Sequence, residues 1–141
     1  AFEKRKKKTI NRKMIKNFLI INCTGKNDLI GLKIDNNFFI EKFQTNIKNN
    51  NDLIVNNITK FLKKNNVKID KNFSIIVNLG PGSFSSIRTA LAVAKGIQIS
   101  KKAKLYGYKS FQLTAFSLKN IEILISKNLL QNKLIKPVYL S

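Results

Sequence analysis

The chain has 141 residues, 43% of them hydrophobic, and a formal charge of +20 from 27 basic and 7 acidic side chains. A length of this order suits one compact domain with a small appendage. One cysteine, Cys23, excludes an internal disulfide, and the lack of any histidine excludes a Ser-His-Asp triad and most zinc sites. No apolar run approaches the roughly 18 residues of a membrane span, so a cytoplasmic protein with no membrane attachment is expected.

Residues 1–13 hold the densest basic cluster, EKRKKK, with seven basic side chains and one acidic. They show no apolar period and are expected to form a disordered extension ahead of Met14. NFLIINC (17–23) is rich in β-branched and aromatic residues and predicts a buried strand. TGKND supplies a turn, LIGLKI (29–34) a second strand, DNN (35–37) a tight hairpin turn, and FFIEKF (38–43) a third strand. Residues 44–52 are polar and predict a loop.

From Asp52 the period changes. Leu53, Ile54, Ile58, Phe61 and Leu62 recur at helical spacing, with Asn56, Lys60, Lys63 and Lys64 opposite. Asn51 or Asp52 suits the N-cap and Asn65–Asn66 the exit. FSIIVNL (73–79) is apolar enough for a strand covered on both faces. A second helix is expected from about Ser85 to Ser100, with Ser83 or Ser85 accepting from its first-turn amides. KLYGY (104–108) predicts a fifth strand and SFQLTAF (110–116) a short helix. NIEILISKNLLQNKLIKPVYLS (120–141) leaves strand and helix open. Three strands joined by turns and then helix, strand, helix, strand give an α/β layout with parallel crossovers after the meander.

Charge alone directs attention to nucleic acid. The lysines, however, are scattered without interleaved aromatics, and abundant Lys, Asn and Ile also follow from an AT-rich coding sequence. Both explanations stay open at this level.

The loop LGPGSFSSIR (79–88) admits three chemistries. Ser83 sits where a hydrolase nucleophile would, but no histidine exists to activate it. The backbone amides of a glycine-rich helix start favour anions, yet no lysine follows in the manner of a phosphate-binding loop. The plainest alternative is a tight corner, with Pro81 fixing φ and Gly80 and Gly82 taking conformations closed to other residues. The carboxylates Glu3, Asp28, Asp35, Glu41, Asp52, Asp70 and Glu122 show no paired spacing, and no metal or cofactor site is expected.

NLGPGSFSSIRTALAVAKGI resembles the signature of the bacterial TsaB family, which acts in tRNA threonylcarbamoyladenosine biosynthesis. Gly80, Pro81, Gly82, Ser83, Phe84, Arg88, Ala94, Lys95 and Gly96 match its pattern. FLIINCTGKNDLIGLKIDNN, NNNDLIVNNITKFL, LYGYKSFQLTAF and KPVYLS resemble further family segments. Asn22 stands where an aspartate is usual in the actin-like superfamily, and Asn49, Asn50 and Asn51 stand where His-Ser-Glu is expected. Few residues separate the Ser110 segment from KPVYLS.

The resemblance implies an actin-like, ribonuclease H-like lobe over 14–117: a mixed five-stranded sheet with helices packed on it. Residues 118–141 would then form a truncated second lobe and tail. It implies a non-catalytic subunit without a cofactor, partnering a TsaD-like transferase or a second copy of itself, with a TsaE-like ATPase and tRNA reached through the complex. Two exposed helical faces would form the partner interface: Leu53, Ile54, Ile58, Phe61 and Leu62 on one helix, Ile87, Ala90, Leu91 and Ala94 on the other. The alternatives are a nucleotide-binding enzyme of the same superfamily and a basic RNA-binding protein.

Overall fold

The computed structural model describes residues 15–43, 50–133 and 135–138. The expected basic extension, the start at Met14 and Asn49 lie outside these residues, as do the last three residues of KPVYLS. The elements in chain order are β1 (Phe18–Asn22), β2 (Leu29–Ile34), β3 (Asn37–Lys42), α1 (Asn50–Lys64), β4 (Ser74–Asn78), α2 (Phe84–Lys101) and β5 (Lys104–Tyr108). A 3-10 turn (Ser110–Gln112) and α3 (Leu118–Ser126) follow.

The sheet order is β3-β2-β1-β4-β5. β1 pairs antiparallel with β2, and β2 with β3, so the first three strands form the expected meander. β1 pairs parallel with β4, and β4 with β5, so the sheet is mixed. Asp35 closes the β2–β3 hairpin with φ 53°, a left-handed conformation that Asp tolerates better than most residues. Ile34 pairs with Asn37, which therefore belongs to β3 rather than to the turn.

Alternate side chains of the central strands feed two cores, as the period of two requires. Leu19, Ile21, Ile75, Val77 and Leu105 join the inward sides of α1 and α2 on one face. Phe18, Ile20, Ile76, Tyr106 and Tyr108 meet Ile121, Leu124 and Ile125 of α3 on the other. β1 and β4 are covered on both faces, and β4 is buried throughout. β3 is an edge strand and leaves Phe39 and Ile40 exposed.

Three local expectations need correction. α1 begins at Asn50, so Asn51 and Asp52 lie inside the helix rather than at its cap. Ser83 occupies the N-cap position of α2 without making a side-chain cap bond; its hydroxyl pairs with Ser86 Oγ at 3.2 Å. Only Ser110–Gln112 of the expected third helix is helical, as a single 3-10 turn. The open stretch begins as helix, Leu118–Ser126, because Ser117 Oγ accepts from the Asn120 amide and three apolar side chains fall on one side.

Both α1 and α3 exit through an asparagine in the left-handed region, Asn66 (φ 51°) and Asn128 (φ 59°). The Val67 amide bonds back to the Leu62 carbonyl at 3.2 Å, and the Leu129 amide to the Leu124 carbonyl at 3.4 Å. This is the six-to-one closure that satisfies a helix's last carbonyls. Beyond α3, Gln131 exchanges two backbone hydrogen bonds with Gly107 on the outer side of β5. The Val138 amide then donates to the Leu79 carbonyl at 2.7 Å, which returns the chain to the end of β4. Among the described residues no second sheet is present.

Candidate functional site at the carboxyl edge of the sheet

The parallel strands β1, β4 and β5 all end at one edge, where α/β folds commonly present their functional loops. There β4 runs into the glycine-proline corner, β1 into the turn Cys23–Asp28, and β5 into Lys109 and the 3-10 turn. Gly80 has φ 99°, and its bond to Pro81 is cis. A Cβ on Gly80 would lie 2.8 Å from Ile87 Cδ1 and 2.9 Å from the Val138 carbonyl.

Gly82 is pressed against the neighbouring turn: a Cβ there would come within 2.6 Å of Thr24 Cβ and 2.9 Å of the Thr24 carbonyl. From the other side, a Cβ on Gly25 would lie 2.9 Å from Ser83 Cβ. Gly82 and Gly25 are therefore explained by the close packing of two loops, and Gly80 by its positive φ and its contacts with Ile87 and Val138. The Ser83 amide donates to the Thr24 carbonyl at 2.7 Å, and the Gly80 amide to Asn78 Oδ1 at 2.8 Å. Two of the amides that an anion would use are already satisfied from within the chain, which favours the corner over the phosphate cradle.

A partly buried polar chain fixes the corner to its neighbours. Asn78 Nδ2 donates to Asn22 Oδ1 at 2.8 Å. The Ser110 hydroxyl lies 3.1 Å from Asn78 Oδ1 and 3.0 Å from the Pro81 carbonyl, with one proton to give to either. The Ser110 amide donates to the Gly80 carbonyl at 2.9 Å. Asp28 accepts from the amides of Thr24 (3.0 Å) and Gly25 (2.9 Å), bracing the turn that Gly82 touches. Burial raises the Asp28 carboxyl above its ordinary value, opposed by those two amides.

Cys23 is buried, and desolvation together with Asp28 pushes its thiol well above the usual range, away from nucleophilic use. The buried Tyr108 hydroxyl meets no partner at bonding distance among the described residues, and burial raises its phenol strongly despite nearby Asn78. A polar cleft of about 490 Å3 opens beside these groups, lined by Asn22, Lys26, Asn27, Lys42, Tyr108 and Phe116 among others. No group of three or more Cys, Asp or Glu among the described residues is placed to hold a metal.

The expected signature residues Gly80, Pro81, Gly82, Ser83 and Phe84 thus gather at one corner, with the Arg88 guanidinium 5.0 Å from the centre of the Phe84 ring. The expected partner face is placed differently. Ile54, Ile58, Phe61, Ile87, Ala90, Leu91 and Ala94 are buried in the chain's own core, while Leu53 and Leu62 are half-buried. α1 and α2 turn these side chains toward the sheet and toward each other, because one covering layer must seal the apolar face of five strands. Asn78, Ser110 and Asp28 were not singled out from sequence. A lone asparagine in a strand otherwise apolar was the available signal for Asn78.

A model of the family described as TsaD, tRNA N6-adenosine threonylcarbamoyltransferase, matches residues 44–125, more than half of the chain. The chain belongs to this family. Its sequence is TsaB-like: it is 44% identical over 57 residues to the tRNA threonylcarbamoyladenosine biosynthesis protein TsaB of Buchnera aphidicola subsp. Baizongia pistaciae (strain Bp). That alignment covers 40% of this chain and 26% of the relative.

Among solved structures, YeaZ from Pseudomonas aeruginosa superposes with a TM-score of 0.61 at 13% identity, over 70% of this chain and 46% of that one. A second Pseudomonas aeruginosa structure, described as similar to peptidase YEAZ, gives the same TM-score and identity over 70% and 45%. The fold is therefore YeaZ-like over the part that superposes. The chain spans less than half of those structures and about a quarter of the curated relative.

Proposed function

We propose that this TsaB-like chain is a non-catalytic, activating subunit in the N6-threonylcarbamoylation of tRNA, working with a TsaD-like transferase. The family match over residues 44–125 supports a place in this modification, and the likeness to TsaB supports the subunit role over that of the transferase. The chemistry of the edge supports the non-catalytic part. Among the described residues the Ser83 hydroxyl bonds to Ser86, Cys23 is a buried thiol held protonated, and position 22 carries an amide that pairs with Asn78. None of these is a group poised to gain or lose a proton near neutrality.

The buried faces of α1 and α2 do not support the interface first expected. Contact with a partner falls instead to what these helices leave outside, including Val55 and Ile99, which are exposed. Residues 118–138 are proposed to serve as a brace for the lobe, through α3 and the strand-like return beside β5 and β4.

The test is reconstitution with the TsaD-like and TsaE-like proteins of the same organism. The expected outcome is that adding the chain stimulates formation of threonylcarbamoyladenosine in tRNA, while the chain alone neither modifies tRNA nor turns over ATP. Modification by the isolated chain would refute the reading. The cleft bearing Lys26 and Lys42 favours a second reading, in which the chain itself takes a nucleotide. Calorimetry with ATP and magnesium separates the two, since the subunit reading expects negligible heat.

A further inference from the structure

Two phenylalanines at the carboxyl edge are not used by the core. Phe84 is 53% exposed and Phe111 is 71% exposed, although aromatic rings usually contribute to buried packing. Each ring carries a cation: Arg88 lies 5.0 Å from the Phe84 centroid and the Lys109 ammonium 6.0 Å from that of Phe111. Both rings are held by the same corner. Ser110, the residue before Phe111, is bonded to Gly80 and Pro81, and at most about 11 Å of chain separates Pro81 from Phe84.

The charge beside the rings has one sign: Arg88 and Lys109 flank them, and the chain between Asp70 and Glu122, which includes both, carries no acidic residue. The neighbouring turn adds Lys26, and its carboxylate, Asp28, is buried and occupied by two amides.

We infer that this edge is a stacking surface for an unpaired stretch of RNA, with bases on Phe84 and Phe111 and phosphates beside Arg88, Lys109 and Lys26. Flat rings accept any base face, and cations beside them neutralise the backbone between bases, which is how single strands are held without sequence readout. Duplex RNA offers no free base faces and engages only the cations. Ser110 and Asn78 fix the corner before the ligand arrives, so little ordering is required of the protein. The choice of RNA among polyanions rests on the function proposed above.

The test measures binding of the full chain to a labelled hairpin RNA with an unpaired loop, and to the same stem as uninterrupted duplex, across a salt series. The hairpin should bind more tightly. Phe84→Ala and Phe111→Ala should each weaken hairpin binding about 5-fold or more, leave duplex binding unchanged, and leave the salt dependence unchanged. Phe84→Trp and Phe111→Trp should restore it. Arg88→Gln and Lys109→Gln should each lower the salt slope by about 1. Lys101→Gln with Lys104→Gln, at the end of α2 and the start of β5, the first about 25 Å from Phe84 by helix rise, should preserve the preference for the hairpin.

Equal binding of hairpin and duplex with no effect of the alanine variants overturns the inference. So does loss of co-purification with the TsaD-like protein while RNA binding is intact, since the rings would then be a protein contact. Failure here with successful reconstitution leaves the subunit function standing. Ring-dependent RNA binding without reconstitution overturns the subunit function and keeps the surface.

Discussion

At the scale of single residues, the corner after β4 is decided by space. Gly82 is a position where even a methyl group meets Thr24 backbone, which cannot swing aside as a side chain can. Gly82→Ala is therefore expected to lower stability by about 1–3 kcal/mol, read as a drop in melting temperature. The residue at 28 makes a different prediction. The Asp28 carboxyl is raised in the folded state by burial, so the folded chain holds its proton more tightly than the unfolded chain. Stability gained from Asp28 is full below its unfolded pKa and is lost as pH rises through the folded one. Asp28→Asn keeps an oxygen for the Thr24 and Gly25 amides and removes the charge. Melting curves should show the variant at least as stable as wild type at pH 7, with its advantage vanishing below about pH 4. Both glycine and carboxylate were visible in the sequence, but not what each touched. GPGS announces a tight turn, whereas the contact with Thr24 depends on two loops that meet only when β1 and β4 pair.

At the scale of elements, period and composition located all five strands and the first two helices to within a few residues. The misses have specific causes. A polar asparagine run gave no periodic signal, so α1 began earlier than expected. Residues 110–116 look helical by composition, but Ser110 is drawn to Asn78 and Pro81, and only one 3-10 turn survives. Local propensity lost to a tertiary hydrogen bond there. The small residues of α2 illustrate the same limit. Spacing showed that Ala90 and Ala94 allow close approach, but could not say what approaches. In the structure it is the chain's own sheet and α1, and both alanines are fully buried. Ala94→Arg should therefore unfold or strongly destabilise the isolated chain, by on the order of 3 kcal/mol or more in urea melts. A stable, folded Ala94→Arg chain would show that this side of α2 is open after all.

At the scale of the whole molecule, the charge of +20 dominates. Across the described residues a single ion pair, Lys64 with Glu41 at 4.0 Å, offsets it, and both side chains are largely exposed, so its contribution is slight. Self-repulsion in the compact state is the larger effect. Raising salt from about 0.01 to 0.15 M, which shortens the screening length from about 30 to 8 Å, is expected to raise the melting temperature. An unchanged or falling melting temperature would show that the lysines are spaced beyond effective repulsion. The same salt should weaken any polyanion bound to the surface, so stability and binding are expected to move in opposite directions.

The sequence by itself determined the layer types, the strands, the tight corner and the resemblance to the TsaB family, because these depend on near neighbours and on unbroken stretches of side chains. It also ruled out chemistry that needs histidine. Only the tertiary structure decided which helix faces are core, since burial depends on what packs opposite and not on a helix's own period. The edge with Phe84 and Phe111 belongs to that second class as well. Along the chain Phe84 belongs to the signature loop and Phe111 to an expected short helix, and nothing in their spacing joins them. Parallel pairing of β4 with β5 places them at one edge, each with its own cation.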